Sequence, residues 1–532
     1  MKAYLLSALA SLREHQFYLM IAYGLVAAFL SWRVALEDVI GQRLFRVAAA
    51  LSAIVTIGYL AMVAIYVISP NYFDHLEATI AIISWLGMHG HSFYPDWRSD
   101  DVYGLLYGPV LYLVQGALLS IVPTLTASKI LGPCALILAL GIFFVTVNRK
   151  MKSDLAAIVL VGAMVMLLAP FNYDVYWDRS EPFLLLIAVA VLPAATSVPL
   201  RTAAIVVGAL AGIAVGFKIH AALYVLPSAI VLLARAQSMR DRIVVTAAGV
   251  SAGIVFCALP FLLRPVNLPG YLQYLEMAAR HGLSLTLLKQ NTLFALGLSI
   301  LVVVAWLRRK SAIDRTGIWF LIGFFASMAI TAVIAAKPGS GPSHLIPFVP
   351  LCLYGVALSA ETSPDKMRRS TVIVAAALAA LAFGPIYANN LRQSKYYFHI
   401  IQSDRDKVTE LSSLLDAYPD AQLGVSDITH YRDSFYKVMP VLQGHPVHVD
   451  LAAWMDMQFA HVSESHITRF LTRCEVAAWI LPTGDPFTML SYYTDKPLFS
   501  DEFRQMFSAN YQQVRAGKAF QVWRCRSAAA TK

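Results

Sequence analysis

The sequence predicts a polytopic α-helical membrane protein of about 12 spans with a small C-terminal α/β domain outside the membrane. Three observations carry this expectation. Of 532 residues, 58% are hydrophobic and only 14% charged, where a soluble chain would carry about a quarter charged residues. Apolar runs of about 16 to 22 residues recur along most of the chain, each long enough to cross or nearly cross a bilayer. The basic residues sit in short loops between those runs.

Taken in order, the expected spans are 16–33, 47–69, 127–147, 155–170, 182–198, 202–217, 220–236, 243–262, 291–307, 316–336, 345–360 and 371–388. Residues 1–15 carry Arg13 and Glu14 and lack a small-residue cleavage site, so the first span reads as retained. If the loop with Arg33, Arg43 and Arg46 is cytoplasmic, the basic clusters at 149–152, 201, 235–242, 308–315 and 366–369 fall on the same side. That is the positive-inside pattern. It accounts for the net charge of +10 without a nucleic-acid partner. The arrangement requires that "YGLLYGPVLYLVQGALLSIVP" (103–123) not cross. Its Gly108-Pro109 pair marks it as a juxtamembrane or re-entrant helix on the outer side.

From about residue 389 the chain turns polar. "SDRDKVTELSSLLDAYP" (403–419) reads as an amphipathic helix with Ser403 as N-cap, Asp406 in its capping box, and Val408, Leu411, Leu414 and Leu415 on one apolar face. "QLGVSDI", "VAAWILP" and "QVRAGKAFQVWRC" read as strands, the last a hairpin turning at Ala516-Gly517. Two domains follow, 1–388 and 389–532. Cys134, Cys257 and Cys352 lie in apolar runs and read as core. Cys474 and Cys525 lie in the polar part and pair if it faces an oxidising compartment. The chain carries no internal repeat of the kind seen in inverted-repeat transporters.

The unusual residues gather in loops on the outer side: "NYFDHLEA", "HGHSFYPDWRSDDVYG", "FNYDVYWDRSE", "GFKIHAALY" and "AAKPGSGPSHLIPF". An acid soon after an opening span is one element of a pattern. "GHSFYPDW" leading to the Pro-containing "YGPVLYLVQ" is a second. "DRSEPFLLL", the step "GFKIHAALYVLP" and a terminal extracytoplasmic domain complete it. In order and side, these motifs resemble the C-type membrane glycosyltransferases, especially bacterial relatives of the protein mannosyltransferases and aminoarabinose transferases.

That resemblance implies an inverting transferase in the plasma membrane. Its donor is a sugar on a polyprenyl phosphate and its acceptor a lipid-linked glycan, lipid A or surface polysaccharide, with membrane lipids as surroundings. Asp74 fits the base that deprotonates an acceptor hydroxyl, with Glu77 at i+3 as its rival. Glu181 fits the acid of the Arg-x-acid motif, with Asp178 as the other candidate or a helix cap. Arg179, Lys218, His344 and Lys337 fit the cations that meet charge growing on a leaving phosphate. Tyr72, Tyr94, Trp97, Tyr103, Tyr107, Tyr173, Tyr176, Trp177 and His220 are candidate sugar or isoprenoid contacts.

Ordinary readings stand beside these. Asp74 also suits a helix N-terminus, Lys218 an interfacial snorkel and the aromatics an interfacial belt. His89 and His91 with Asp96, Asp100 and Asp101 match no strong ligand spacing, so no cofactor is firmly implied and a divalent metal is the lesser option. The alternative functions are a lipid or solute transporter and an enzyme of the same fold that moves a whole oligosaccharide. Transporters place charge near the bilayer midplane. Here the span interiors are almost uncharged, which favours chemistry at the interface.

Overall fold

The computed structural model describes residues 38–97, 99, 102–308, 314–361, 363 and 365–526, together with 18, 21, 22 and 25. The expected span 16–33 lies almost wholly outside the described residues. Among the described residues, ten helices are long and apolar enough to cross a membrane. The chain is a multi-pass membrane protein. Nine of the expected spans match helices from Gly41–Ile68 to Pro342–Glu361, and the tenth lies within Met367–Ala417. The segment expected not to cross is the 13-residue helix Pro109–Ile121. At 1.5 Å per residue it reaches about 20 Å, against about 30 Å of hydrocarbon. The expected span 220–236 is not among the ten: it is the helix Ala222–Arg235, 14 residues and about 21 Å long, which by the same measure falls short of the hydrocarbon thickness. It begins after a turn at 218–221.

The chain divides into two compact units. The first comprises Met1–Ala64, Gly132–Ala258 and Leu283–Lys395. Most of its helices are apolar, and their outward surfaces are too, as lipid-facing surfaces are expected to be. The expectation that Cys134 and Cys257 are core therefore fails: Cys134 is exposed and Cys257 half-buried, while Cys352 is buried. Apolar sequence in such a helix does not report burial, because lipid tails are as apolar as a core.

The tightest crossing in this unit joins Leu200–Phe217 to Met239–Ala258. Gly208 and Gly212 on one helix face Gly249 and Gly253 on the other. A Cβ at Gly208 would stand 2.0 Å from the Gly249 carbonyl oxygen, and one at Gly212 2.3 Å from that of Gly253. Small residues four apart on both helices thus bring backbone against backbone, which is how helices associate where no hydrophobic effect drives them. Gly208→Val is expected to force the pair apart at a cost of about 1–3 kcal/mol or more. Thermal unfolding in nanodiscs measures it, and an unchanged melting temperature would show the crossing to be dispensable.

The second unit comprises Ile65–Leu131, Leu259–Gly282 and Tyr396–Lys532. It holds a four-stranded sheet in the order β1-β2-β4-β3, with β1 Ala421–Leu423, β2 Ala478–Pro482, β3 Tyr511–Ala516 and β4 Phe520–Cys525. β1 and β2 run parallel through a helical crossover. The other pairs are antiparallel, with a bulge at Gln513/Arg515. The hairpin turns at 517–519, next to the position the sequence indicates. Leu411, Leu414 and Leu415 bury their expected face among Leu423, Ile480, Phe520 and Val522.

One local expectation is overturned. Ser403 caps nothing, because Asp365–Ala417 is a single 53-residue helix and its amides at 403–406 lie in a helix interior. Asp406 instead accepts a bond from Gln402 Nε2 at 3.1 Å. The expected domain boundary at 388/389 falls inside the same helix.

Cys474 and Cys525 form a disulfide with Cα atoms 5.9 Å apart and a sequence separation of 51. Closing a loop of that length removes unfolded-state entropy worth about 4 kcal/mol on the chain-entropy account. Reduction is expected to lower the melting temperature and change gel mobility. Identical behaviour of Cys474→Ser and wild type under non-reducing conditions would contradict the pairing.

Candidate functional site

In the first unit, four helix ends and turns meet at one face of the bundle. The helix Ser180–Ser197 begins there with Arg179 at its N-cap and Glu181 in its first turn. The helix Leu200–Phe217 ends there with Lys218 at its C-cap. The turn to Ala222–Arg235 supplies His220, and the short 3-10 segment Pro342–Leu345 supplies His344. The helix dipole places an acid favourably at the first position and a cation at the second. The N-cap is Arg179 and no side chain caps it, so Asp178 is not the cap the sequence suggested.

These side chains form one buried network. Lys218 Nζ donates to Glu181 Oε1 at 2.7 Å and lies 3.2 Å from His344 Nε2. Arg179 Nε stands 3.5 Å from Glu181 Oε2, and its Nη1 3.3 Å from Asp174 Oδ1. The side chain of Glu181 is 2% exposed and those of Arg179 and Lys218 are 11% exposed. Two cations and two carboxylates therefore share little water and cancel in formal charge. Burial lowers the Lys218 pKa from its ordinary value, and the Glu181 carboxylate opposes that shift.

The histidine tautomers follow from their partners. Lys218 is donor only, so His344 accepts at Nε2 and carries its proton on Nδ1. That buried Nδ1 has no hydrogen-bond partner among the described residues. Tyr224 donates its hydroxyl to the His344 carbonyl at 2.8 Å and so accepts from His220 Nε2 at 3.0 Å.

The 3-10 segment Ala169–Val175 sets the position of Asp174. Asn172 adopts φ 48° and ψ −109° there, a strained positive-φ conformation outside the left-handed helical well. Gln393 Oε1 accepts from Asn172 Nδ2 at 3.2 Å and from Tyr173 Oη at 2.7 Å, and Asn390 Nδ2 donates to the Ala169 carbonyl at 2.8 Å. Tyr173 stacks on Trp177, and the Arg179 guanidinium lies 5.7 Å from the Trp177 ring centroid. Tyr176 is buried edge-on against Tyr59. Asp178 is fully buried. Lys337 is half-buried and makes no ion pair with this network among the described residues, and burial lowers its pKa.

In the second unit, Asp74 is the N-cap of the helix His75–Met88 in a complete capping box. Its Oδ1 accepts from Leu76 N at 2.8 Å, and Glu77 Oε2 accepts from Asp74 N at 3.2 Å. Asp74 Oδ2 lies 3.7 Å from His75 Nδ1 at a side-chain exposure of 24%. Glu77 is fully buried. It accepts from the Tyr66 hydroxyl and from Phe73 N, and burial pushes its pKa up. Lys129 Nζ donates to the carbonyls of Tyr66, Ser69 and Asn71, closing the end of the helix Asp38–Ile68.

The aromatics of this unit are largely packed inward. Tyr72 bonds Ser128, Tyr94 donates to the Tyr107 carbonyl and Tyr103 to the Ser92 carbonyl, all three rings being buried. Trp97 is half-buried with Arg280 over its ring. Among the described residues, no group of three His, Cys, Asp or Glu side chains converges as metal ligands. Asp100 and Asp101 lie outside them.

Sequence reasoning missed Asp174, Tyr224 and Lys129. Asp174 had a signal in its place five residues before Arg179. Lys129, a charge inside an apolar run, had a stronger one.

Scans of the sequence against protein-family profiles and curated proteins find no match. The structure, however, is similar to crystal structures of ArnT from Cupriavidus metallidurans. The apo form matches with a TM-score of 0.55 and 12% identity over 92% of this chain and 98% of that one. The form bound to undecaprenyl phosphate matches with a TM-score of 0.56 and 11% identity over 88% and 96%. The chain thus has the C-type membrane glycosyltransferase fold, with a small C-terminal sheet domain.

Proposed function

We propose that this protein is a glycosyltransferase that moves a sugar from a polyprenyl-phosphate donor to a glycan or glycolipid acceptor at the extracytoplasmic face of the membrane. The observation that carries this reading is the buried network of Arg179, Lys218 and His344 around Glu181. The ArnT fold supports it, since one of those ArnT structures binds undecaprenyl phosphate. The disulfide supports an oxidising compartment for the C-terminal part.

In this reading the acceptor hydroxyl attacks the anomeric carbon from the side opposite the phosphate. The bond from that carbon to the phosphate oxygen breaks and the configuration inverts. Charge then grows on the departing phosphate. Arg179 offers planar paired donors to it, Lys218 a point charge, and His344 a neutral Nδ1–H donor in a dry setting where each counts for more than in water. Glu181 holds the two cations apart and in place before the donor arrives. Asp74 is the proposed base for the acceptor hydroxyl.

The test is release of free polyprenyl phosphate from a panel of polyprenyl-phosphate sugars by protein in nanodiscs, with membrane glycolipids as acceptor. Release that requires acceptor is the expected result. No release from any mono- or oligosaccharide donor, with donor binding also absent, would overturn the reading.

A further inference from the structure

Two adjoining cavities in the first unit are lined by none of the network side chains. One, of ≈ 320 Å³, is an apolar groove between the helices Leu200–Phe217, Ala222–Arg235 and Met239–Ala258. Its floor is Gly208, Gly249 and Gly253, the residues of the close helix crossing, and its walls include Val225 and Ala229. The second, of ≈ 580 Å³, opens at the loop ends and is lined by Arg201, Arg235 and Asp241. Both are lined by Val245, so the apolar groove and the polar mouth lie on either side of one side chain.

Arg201 is the second residue of the 18-residue helix whose far end carries Lys218, about 25 Å away along the helix. The mouth is therefore at the membrane face opposite the charge network. Arg235 Nη2 donates to the Val198 carbonyl at 3.0 Å and Nη1 to the Ala195 carbonyl, which fixes its guanidinium at the rim. Asp241 is bonded to Ser238 Oγ at 2.8 Å, and Arg240 and Arg242 flank it in sequence.

We infer that this is a binding site for one anionic glycerophospholipid, its phosphate at Arg201 and Arg235 and an acyl chain in the Gly-floored groove. Charge complementarity at the mouth selects an anionic headgroup, since basic pockets between membrane helices recruit such lipids. The groove length selects the chain. From Ala222 to Leu233 the lining helix rises about 16 Å, close to the depth of one leaflet, half of about 30 Å. The packing explains why the groove exists: two helices locked backbone to backbone by glycine leave a crevice their own side chains are too small to fill.

Native mass spectrometry of the full chain, taken from nanodiscs of equal phosphatidylglycerol and phosphatidylcholine, tests this. One retained phosphatidylglycerol is expected. Arg201→Ala should lower its retention about fivefold, and Ala229→Phe, which fills the groove, should lower retention of both lipids. Both variants should keep the wild-type melting temperature, because Arg201 is exposed and Ala229 borders a void. Equal retention of the two lipids by wild type, or no loss in Arg201→Ala, would overturn the assignment. So would Arg201-dependent capture of undecaprenyl phosphate in place of phosphatidylglycerol when it is added to the same nanodiscs. None of these readouts depends on transfer activity, so the site stands or falls apart from the proposed function.

Discussion

Lys218→Ala is expected to lower polyprenyl-phosphate release by about 10²–10³-fold, the scale seen when one preorganised donor to a developing anion is removed. The same change unbalances a buried network. With Lys218 present, Asp174, Arg179, Glu181 and Lys218 sum to zero formal charge; without it they sum to −1. Removing one member of a buried ion pair costs about 3–5 kcal/mol when the remaining charge finds no other partner. Arg179 still stands 3.5 Å from Glu181, so the cost should fall toward the lower end. A loss of activity alone would thus be ambiguous between lost chemistry and lost structure.

The double variant Glu181→Gln/Lys218→Ala separates them. It restores neutrality, and the new side-chain amide oxygen at position 181 can still accept from Arg179. Its melting temperature is expected to recover most of what Lys218→Ala loses, while release stays low. Lys218→Arg keeps the charge and should retain part of the activity. Recovery of full release in the double variant would assign Lys218 to structure only. Full release by Lys218→Ala would remove it from the site altogether.

What the sequence revealed and what it hid divide along physical lines. The order of the ten long apolar helices and the shortness of the helix within 103–123 were legible, because long apolar runs and a Gly-Pro break report directly on helix length. The clustering of Arg179, Glu181, Lys218 and His344 was legible as four residues at helix ends that the loop charges assign to one common face. Their mutual distances were not, because no periodicity relates positions 181 and 344. The N-cap at Ser403 misled because capping signals mark only local preference. The turns preceding it continue as helix, and tertiary context keeps it running to Ala417. The aromatics misled for another reason. An outer-loop tyrosine reads as a platform, yet Tyr94 is enclosed by Tyr112, Tyr271 and Tyr274, contacts that no local window contains.

Asp74→Asn is the second change with a large expected effect, and it decides whether "FDHLEA" is a helix cap or chemistry. The structure makes Asp74 a cap through one carboxylate oxygen, while the other lies toward His75. Asparagine caps a helix about as well as aspartate, so the bond from Leu76 N survives and stability should change by less than about 0.5 kcal/mol. What asparagine lacks is the basic oxygen. If Asp74 deprotonates the acceptor, release should fall by about 10²–10⁴-fold, the usual range for a general base. Asp74→Ala should lose the same activity and about 1 kcal/mol of stability besides. Glu77→Gln is the counterpart. It disturbs a buried group held by Tyr66 and two backbone amides, so it should lower the melting temperature and leave release per folded molecule near wild type. If Asp74→Asn instead transfers sugar at the wild-type rate while Asp74→Ala only unfolds sooner, the carboxylate is a cap and nothing more, and the base must be sought among other groups.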